Sequence, residues 1–196
     1  MPNKRIFILV GHPAETSLSR SLAETYKEAA QTSGNEVRIT YLHDLDFDAD
    51  FEYGGYSKHK PLEPCLTAFQ GDLEWAEHFV LVTPMWWGGL PAKLKGLFDR
   101  TLLPGWAFDT RTRKMGLPLP LLTGRTARAV VTSDTPDFFF GLLYGKALLR
   151  QLKGQIFKFI GLKPVGISHF SQATSPKPEK VELWLADMRK LGTQGK

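Results

Sequence analysis

Residues 79–96 read FVLVTPMWWGGLPAKLKG. An apolar, β-rich run leads into a loop with two adjacent tryptophans and two glycines, and a helical pattern follows the loop. A short, uninterrupted apolar run is typical of a strand that is covered on both faces of a parallel sheet. The segment therefore predicts a strand, a loop and a helix, which is the repeating unit of an α/β fold.

The same alternation extends along the whole chain, which we interpret as a single domain, residues 1–196. Predicted strands cover residues 6–10, 37–42, 79–82, 126–132 and 165–170. Predicted helices cover residues 18–30, 93–102, 142–160 and 179–191. Residues 46–72 and 103–124 show little periodicity, so we expect irregular loops there that serve as binding loops or interface arms.

This pattern predicts a five-stranded parallel sheet with helices on both faces. The long connection after the second strand favours the strand order 2-1-3-4-5, because that strand must lie beside the first. In such a sheet, the carboxyl ends of strands one, three and four surround one crevice, where ligands bind. The loops to examine are therefore 11–19, 83–91 and 133–141.

Composition excludes several classes of protein. Cys65 is the only cysteine, which rules out intrachain disulfides, argues against a metal cluster and favours a cytoplasmic location. No apolar run is long enough to form an integral membrane segment. The net charge is +5, but lysines and arginines are scattered, so we expect no nucleic-acid surface and only a few cations for an anionic ligand.

The first loop reads GHPAETSLSR over residues 11–20. It lacks the glycine pattern of a dinucleotide-binding fold and the lysine of a P-loop. Its imidazole and hydroxyl groups stand where the first helix begins: His12, Thr16, Ser17 and Ser19. Free backbone N–H groups at a helix start suit a phosphate, but a simple N-cap by Thr16 or Ser17 would explain the same residues. Both interpretations stay open.

The second loop contains Trp86 and Trp87, followed by Gly88 and Gly89. Glycines let the backbone approach a flat ligand closely, and indole rings offer surface to a planar heterocycle. One tryptophan could pack inward while its neighbour forms the wall of a ring-sized slot. The alternative is that both tryptophans belong to the core around a sharp bend.

The third loop, TSDTPDFFFGLLYG, begins at residue 132. Ser133, Asp134 and Thr135 can donate and accept hydrogen bonds, and Phe138–Phe140 form a second aromatic cluster. A phosphate site and two aromatic loops at one crevice favour a flavin as the ligand.

The chain resembles the flavodoxin-like NAD(P)H:quinone oxidoreductases, the family of DT-diaphorase and its bacterial relatives. The resemblance runs from IFILVGHP (residues 6–13) to IGLKPV (residues 160–165). Its most specific part is the pattern P-x-x-W-x-G-x-P-A-x-L-K-G-x-x-D-R at residues 84–100, followed by GWAF at residues 105–108.

The resemblance implies a set of site residues. The flavin phosphates would be held by His12, Thr16, Ser17, Leu18 and Ser19. The isoalloxazine ring would be lined by Pro84, Met85, Trp86, Trp87 and Gly88, with Ser133, Asp134 and Thr135 at its pyrimidine side. Planar substrates would be bound by Trp87, Phe139, Phe140, Trp106 and Phe108, the last two at the interface of a homodimer.

The resemblance also implies the chemistry. NAD(P)H would reduce the flavin and leave before a quinone-like acceptor enters, and no side chain is assigned as catalytic because the flavin N5 accepts the hydride. Mammalian members carry a tyrosine and a histidine beside the flavin; no histidine follows residues 134–140 closely here, so no such relay is expected.

Four charged residues could hold the adenylate end of FAD and favour it over FMN: Asp99, Arg100, Lys177 and Lys180.

Two other functions are alternatives to an NAD(P)H oxidoreductase. One is an electron-transfer flavodoxin, although those proteins are typically acidic. The other is a regulatory subunit of a potassium-efflux system.

Overall fold

The computed structural model describes residues 3–55 and 58–196. The strands are β1 (Arg5–Val10), β2 (Glu36–Tyr41), β3 (His78–Pro84), β4 (Phe108–Lys114), β5 (Leu117–Pro120), β6 (Thr126–Ser133) and β7 (Val165–Ser171). The helices are α1 (Leu18–Thr32), α2 (Pro64–Trp75), α3 (Ala92–Thr101), α4 (Asp137–Leu142), α5 (Ala147–Arg150) and α6 (Pro178–Gln194), with a π-helix at Gln151–Lys158. A short 3₁₀ turn, Leu42–Asp44, follows β2.

Five parallel strands form one sheet in the order β2-β1-β3-β6-β7. This is the predicted order 2-1-3-4-5, and the predicted fold class is confirmed. Because the sheet order reverses between β1 and β3, the loops after these two strands diverge and leave a crevice at their carboxyl ends.

The two faces of the sheet carry separate apolar cores. Phe7 and Leu9 face one core, and Ile6 and Ile8 face the other, because successive side chains of a strand point to opposite faces. α1 and α6 cover the second core and cross so closely that a Cβ on Gly192 would lie 2.3 Å from the Tyr26 carbonyl oxygen. The central strands are therefore buried on both sides, as their apolar runs predict.

The prediction of an irregular segment at 46–72 was wrong for its second half. Helix α2 begins with Pro64 at its first turn and buries Leu66, Phe69 and Leu73 against the core. This spacing puts the three side chains on one helical stripe.

The segment 103–124 also contains regular structure that the sequence did not predict. β4 and β5 pair as an antiparallel hairpin, closed by Met115 and Gly116, which both have positive φ. The strand β4 reads FDTRTRK and has no apolar alternation, so the usual sequence signal for a strand is missing.

The long helix predicted at 142–160 is broken. α4 ends at Leu142, and α5 and the π-helix begin only after Gly145 and Lys146, which both adopt left-handed backbone conformations. Such conformations interrupt a right-handed helix.

Among the described residues, no helix combines the length and apolar character needed to cross a bilayer.

Candidate functional site

Two adjoining cavities lie in the crevice at the carboxyl ends of the strands. The inner cavity, about 230 Å³, is lined by His12, Thr16, Ser17, Leu18, Ser19, Met85, Trp86, Thr132, Ser133, Asp134, Ala173 and Thr174. The outer cavity, about 530 Å³, is lined by Met85, Trp87, Gly88, Asp134, Thr135, Phe140, Tyr144 and Ala147. Met85 and Asp134 belong to both, so the two cavities meet. Nearly all predicted cofactor residues line one or both; Pro84 is buried at the end of β3.

The start of α1 presents unused hydrogen-bond donors to the inner cavity. Ser17 is the N-cap, and its Oγ accepts the backbone N–H of Arg20 at 3.2 Å. The backbone N–H groups of Leu18 and Ser19 have no partner among the described residues. The cap and the phosphate site therefore do not compete: the Ser17 side chain caps the helix, and the free main-chain donors stay available to an anion.

His12 is neutral at the edge of the inner cavity. Its Nδ1 accepts the backbone N–H of Ala14 at 3.0 Å, so the proton of the neutral ring is on Nε2. Burial is the main cause that lowers the pKa of His12, although the hydrogen bond to Ala14 acts in the opposite direction. His12 can thus donate a hydrogen bond to a ligand without adding a positive charge.

The two adjacent tryptophans differ in their surroundings: Trp86 packs against His12, and Trp87 is exposed. Trp86 lies edge-on to the His12 ring, with centroids 5.5 Å apart, and its backbone pairs with Gly89 in both directions, at 3.0 and 2.9 Å. This pairing closes a tight turn with Trp87 and Gly88 at its corners, at φ values of 51° and 73°. The Trp87 side chain is fully exposed, and the N–H groups of both corner residues have no partner among the described residues.

The loop after β6 is tied to the loop after β7. Asp134 Oδ1 accepts the backbone N–H of Thr174 at 2.7 Å, and the Thr174 hydroxyl donates to Asp134 Oδ2. Ala173 and Thr174 line the inner cavity but were not predicted as site residues. The predicted strand order contained the signal, because it places the carboxyl ends of the fourth and fifth strands side by side.

A histidine does lie behind this loop, contrary to the sequence-based expectation. His169 Nε2 is 2.8 Å from Ser133 Oγ, and His169 Nδ1 is 2.6 Å from Asp137 Oδ1. His169 comes from β7, far along the chain from the loop that it supports. Proximity in sequence was therefore the wrong criterion for this contact.

The family described as having a flavodoxin-like fold matches residues 4–191. The chain belongs to this flavodoxin-like family. NAD(P)H dehydrogenase (quinone) 1 of Rattus norvegicus is 30% identical over 131 residues, which cover 57% of this chain and 48% of the relative. An uncharacterized NAD(P)H oxidoreductase of Haemophilus influenzae is 25% identical over 173 residues, covering 83% and 81%.

Solved structures agree with the fold. The NAD(P)H:quinone oxidoreductase from Methanothermobacter marburgensis superimposes with a TM-score of 0.82 at 21% identity, covering 99% of this chain and 100% of that one. The first curated relatives that match are longer, and the chain spans about half of their length.

In this member of the flavodoxin-like family, the predicted aromatic substrate residues are dispersed. Phe140 is buried and lines the outer cavity, as Trp87 does. Phe139 is 49% exposed and packs edge-on against Phe138, outside both cavities. Tyr144, which is largely exposed, lines the outer cavity.

Trp106 and Phe108 lie outside both cavities of this chain. The Trp106 indole N–H donates to Glu74, and Phe108 packs edge-on against Phe159 with centroids 5.1 Å apart. Phe108 lines a separate apolar cavity of about 590 Å³ between α3 and the π-helix.

Of the residues predicted to hold the adenylate end of FAD, three are already engaged. Arg100 is fully buried and donates to Glu63 and to the carbonyl oxygens of Asp48 and Pro61. Asp99 pairs with Lys95. Lys180 Nζ donates to the Ser171 carbonyl oxygen and to Gln172. Of the set, Lys177 alone has no side-chain partner among the described residues.

Proposed function

We propose that this protein is a flavin-dependent NAD(P)H oxidoreductase that reduces quinones or similar planar acceptors. One observation carries the proposal: unpartnered helix-start N–H groups and an open, aromatic-walled cavity adjoin within a single crevice. An anionic tail suits the first, and a flat conjugated ring suits the second. A flavin nucleotide contains both parts in one molecule.

The inner cavity fits the phosphate end of a flavin. Leu18 and Ser19 offer free backbone N–H groups, and the exposed Thr16 hydroxyl stands beside them. The positive end of the α1 dipole acts in the same direction. His12 would add an uncharged donor through Nε2–H, since its pKa is lowered by burial.

The outer cavity fits the ring and its substrates. Trp87 and Gly88 offer free backbone N–H groups for the polar edge of a ring, and Phe140 and Tyr144 supply apolar walls. A bound flavin would supply the two-electron hydride chemistry, so the role of the protein is to orient the ring and exclude water. Because the outer cavity is one space of about 530 Å³, nicotinamide donor and acceptor would occupy it in turn.

We further propose that a second copy of the chain completes the outer cavity. Trp87 is fully exposed, and Phe138 and Phe139, on the same helix as the cavity residue Phe140, are 70% and 49% exposed. Exposed aromatic groups of this size mark surfaces that another molecule covers. Sedimentation velocity would test the proposed homodimer, and a monomer at micromolar concentration would contradict it.

Most of the charged residues that would distinguish FAD from FMN have protein partners. The sequence favours FAD through four charged residues, but Asp99, Arg100 and Lys180 have protein partners. Only Lys177 still supports an adenylate site. Mass analysis of the cofactor released by heating separates FAD from FMN directly.

The central experiment measures colour and reduction. The purified protein should bind a flavin with the absorbance bands of the bound oxidised ring, and anaerobic NADPH or NADH alone should bleach them. Addition of a benzoquinone should then restore the colour with one quinone reduced per flavin. A colourless protein that binds neither FMN nor FAD contradicts the cofactor, and flavin that no nicotinamide bleaches contradicts the activity.

A further inference from the structure

A chain of hydrogen bonds leads from the wall of the inner cavity to the surface. Ser133 lines the cavity, its Oγ is 2.8 Å from His169 Nε2, and His169 Nδ1 is 2.6 Å from Asp137 Oδ1. The Ser171 hydroxyl donates to the other Asp137 oxygen at 3.4 Å. Of these residues, the family resemblance implies a flavin contact for Ser133 alone, so the function of His169 and Asp137 is unassigned.

The sheet register explains this arrangement. Ser133 of β6 stands opposite Ser171 of β7, and His169 precedes Ser171 by two residues and therefore projects from the same face. Ser133 is 4% exposed and the His169 side chain 8% exposed, whereas the Asp137 side chain is 64% exposed. The inner two members are shielded, and the third reaches water.

The direction of the hydrogen bond between Ser133 and His169 depends on whether His169 Nε2 carries a proton. An ionised Asp137 can only accept, so His169 Nδ1 carries a hydrogen in either protonation state. When His169 is neutral, its Nε2 is an acceptor and must receive the Ser133 O–H. The oxygen of Ser133 then has only lone pairs to offer to the cavity.

Protonation of His169 reverses this direction. Nε2–H then donates to Ser133 Oγ, and the serine O–H is released to find another acceptor. Within the protein, the alternative acceptor is the Thr135 carbonyl oxygen, which is 3.4 Å away and hence a weak partner. A carbonyl oxygen of a flavin ring would be a better one, because Ser133 adjoins Asp134, where the inner and outer cavities meet.

We propose that His169 is a positioning residue whose protonation state sets the hydrogen-bonding direction of Ser133 toward the bound flavin. With His169 charged, Ser133 donates to a carbonyl oxygen of the flavin pyrimidine ring; with His169 neutral, it can only accept. This inference rests on the proposed flavin site. It predicts that flavin affinity rises as His169 takes up its proton.

The surroundings of His169 contain charges of both signs. The Asp137 carboxylate on α4 is 2.6 Å from His169 Nδ1. Lys146, Arg150 and Lys153 line a cavity of about 350 Å³ together with His169. The side chains of these three cations are exposed and have no ion pair in the part of the chain that the structure describes, so solvent screens them.

The test compares FMN affinity from pH 5 to pH 9 in the unmodified protein and in His169→Gln, by fluorescence quenching. FMN phosphate and His12 titrate in both proteins, so the ratio of the two affinities isolates His169. We expect the unmodified protein to gain about three- to tenfold in relative affinity toward low pH, the effect of one hydrogen bond. His59→Gln, which changes an exposed histidine, should leave the profile unchanged.

Two further measurements keep the test decisive if His169→Gln does not fold. Ser133→Ala should remove the same pH dependence, because it removes the hydroxyl that responds. In the unmodified protein, NMR should show the midpoint of the His169 titration moving to higher pH by about half a pH unit or more when FMN binds, by thermodynamic reciprocity. Asp137→Asn should move that midpoint to lower pH.

The outcomes separate this inference from the proposed function. If FMN binds and the affinity ratio is independent of pH, or if the His169 titration does not respond to FMN, His169 does not control Ser133. If neither FMN nor FAD binds at any pH, the proposed flavin site itself is wrong.

Discussion

The central strands end very differently at their two edges. At the amino edge, the backbone of Glu77 donates to Arg5 and accepts from Thr126, at 2.8 and 3.0 Å, and the Glu77 side chain accepts the Arg5 N–H. At the carboxyl edge, the N–H groups of Leu18 and Trp87 are left without a partner among the described residues. The same strands are thus closed at one end and open at the other, and a ligand can replace the missing partners only at the open end.

The largest expected effect concerns the closed edge, where burial of His78 should lower the stability of the protein in acid. His78 is buried there, with Nδ1 2.6 Å from Thr126 Oγ1, and burial lowers the pKa of His78 to about 3. The unfolded chain takes up a proton near pH 6.5 that the folded protein refuses. Stability should therefore fall as the pH drops from about 6.5 toward 3, by about 1.4 kcal/mol per pH unit and about 5 kcal/mol in all.

Urea unfolding at pH 7 and pH 4 measures this effect. His78→Gln keeps a hydrogen-bonding side chain but cannot titrate. The slope of its unfolding free energy against pH should therefore correspond to about one proton fewer than in the unmodified protein. His59→Gln is the matched control, since His59 is exposed. Equal pH dependence in the unmodified protein and His78→Gln would mean that His78 is not held neutral.

The open edge makes the second prediction, on phosphate binding. Thr16→Glu places a carboxylate beside the free N–H groups of α1, where it should repel a flavin phosphate. With about 3 kcal/mol of repulsion in a partly screened site, FMN affinity should fall about 100-fold. Riboflavin, which has no phosphate, should lose less than about twofold.

Stability supplies the control for Thr16→Glu. An acidic side chain at a helix start is favourable, so the melting temperature without ligand should stay the same or rise. Thr32→Glu makes the same substitution at the far end of α1 and should not affect FMN binding. An equal loss of FMN and riboflavin affinity would contradict a phosphate site at this helix start.

The third prediction concerns the exposed indole at the open edge. Trp87 occupies a left-handed corner position of a tight turn, for which asparagine before glycine is a preferred sequence. Trp87→Asn should therefore raise stability slightly, by about 0.5 kcal/mol. It should also raise the KM for quinone about 10- to 30-fold, because it removes an aromatic surface of the outer cavity.

Steady-state kinetics and thermal unfolding of Trp87→Asn give both values. Leu183→Asn is the matched control, because Leu183 is 68% exposed on α6 and lines neither cavity. Unchanged kinetics together with a large loss of stability would make Trp87 a structural residue.

Features that depend on one strand and its loop were predictable from the sequence. The apolar runs of β1 and β3 predicted the strands, and the long connection after the second strand predicted the sheet order. That order identified the loops that carry Ser17, Trp87 and Ser133. The stripe Leu66, Phe69 and Leu73 was missed, although its spacing and Pro64 at the first turn are signals of a helix.

Features that depend on the register between strands were not predictable. His169 reaches Ser133 only because β6 and β7 pair with Val131 opposite His169. Nothing in the local sequence of either strand encodes that register. The hairpin of β4 and β5 was missed for a different reason: β4 is polar without apolar alternation, and β5 is a four-residue segment with two prolines.

The smallest expected effect tests a residue that lies at neither edge. Asp99 was predicted to hold the adenylate end of FAD, but it pairs with Lys95 one turn away on α3, in an exposed position. Exposed pairs of this kind stabilise a helix by about 0.3–0.5 kcal/mol. Asp99→Asn should therefore change the free energy of unfolding by less than about 0.5 kcal/mol.

Flavin titration of Asp99→Asn separates the two roles of this carboxylate. If Asp99 is only a partner of Lys95, the affinities for FAD and FMN should both stay within about twofold of the unmodified protein, because no site residue moves. A selective loss of FAD affinity would instead place the adenylate against α3. That result would restore the sequence argument for FAD and extend the binding site beyond the open edge of the sheet.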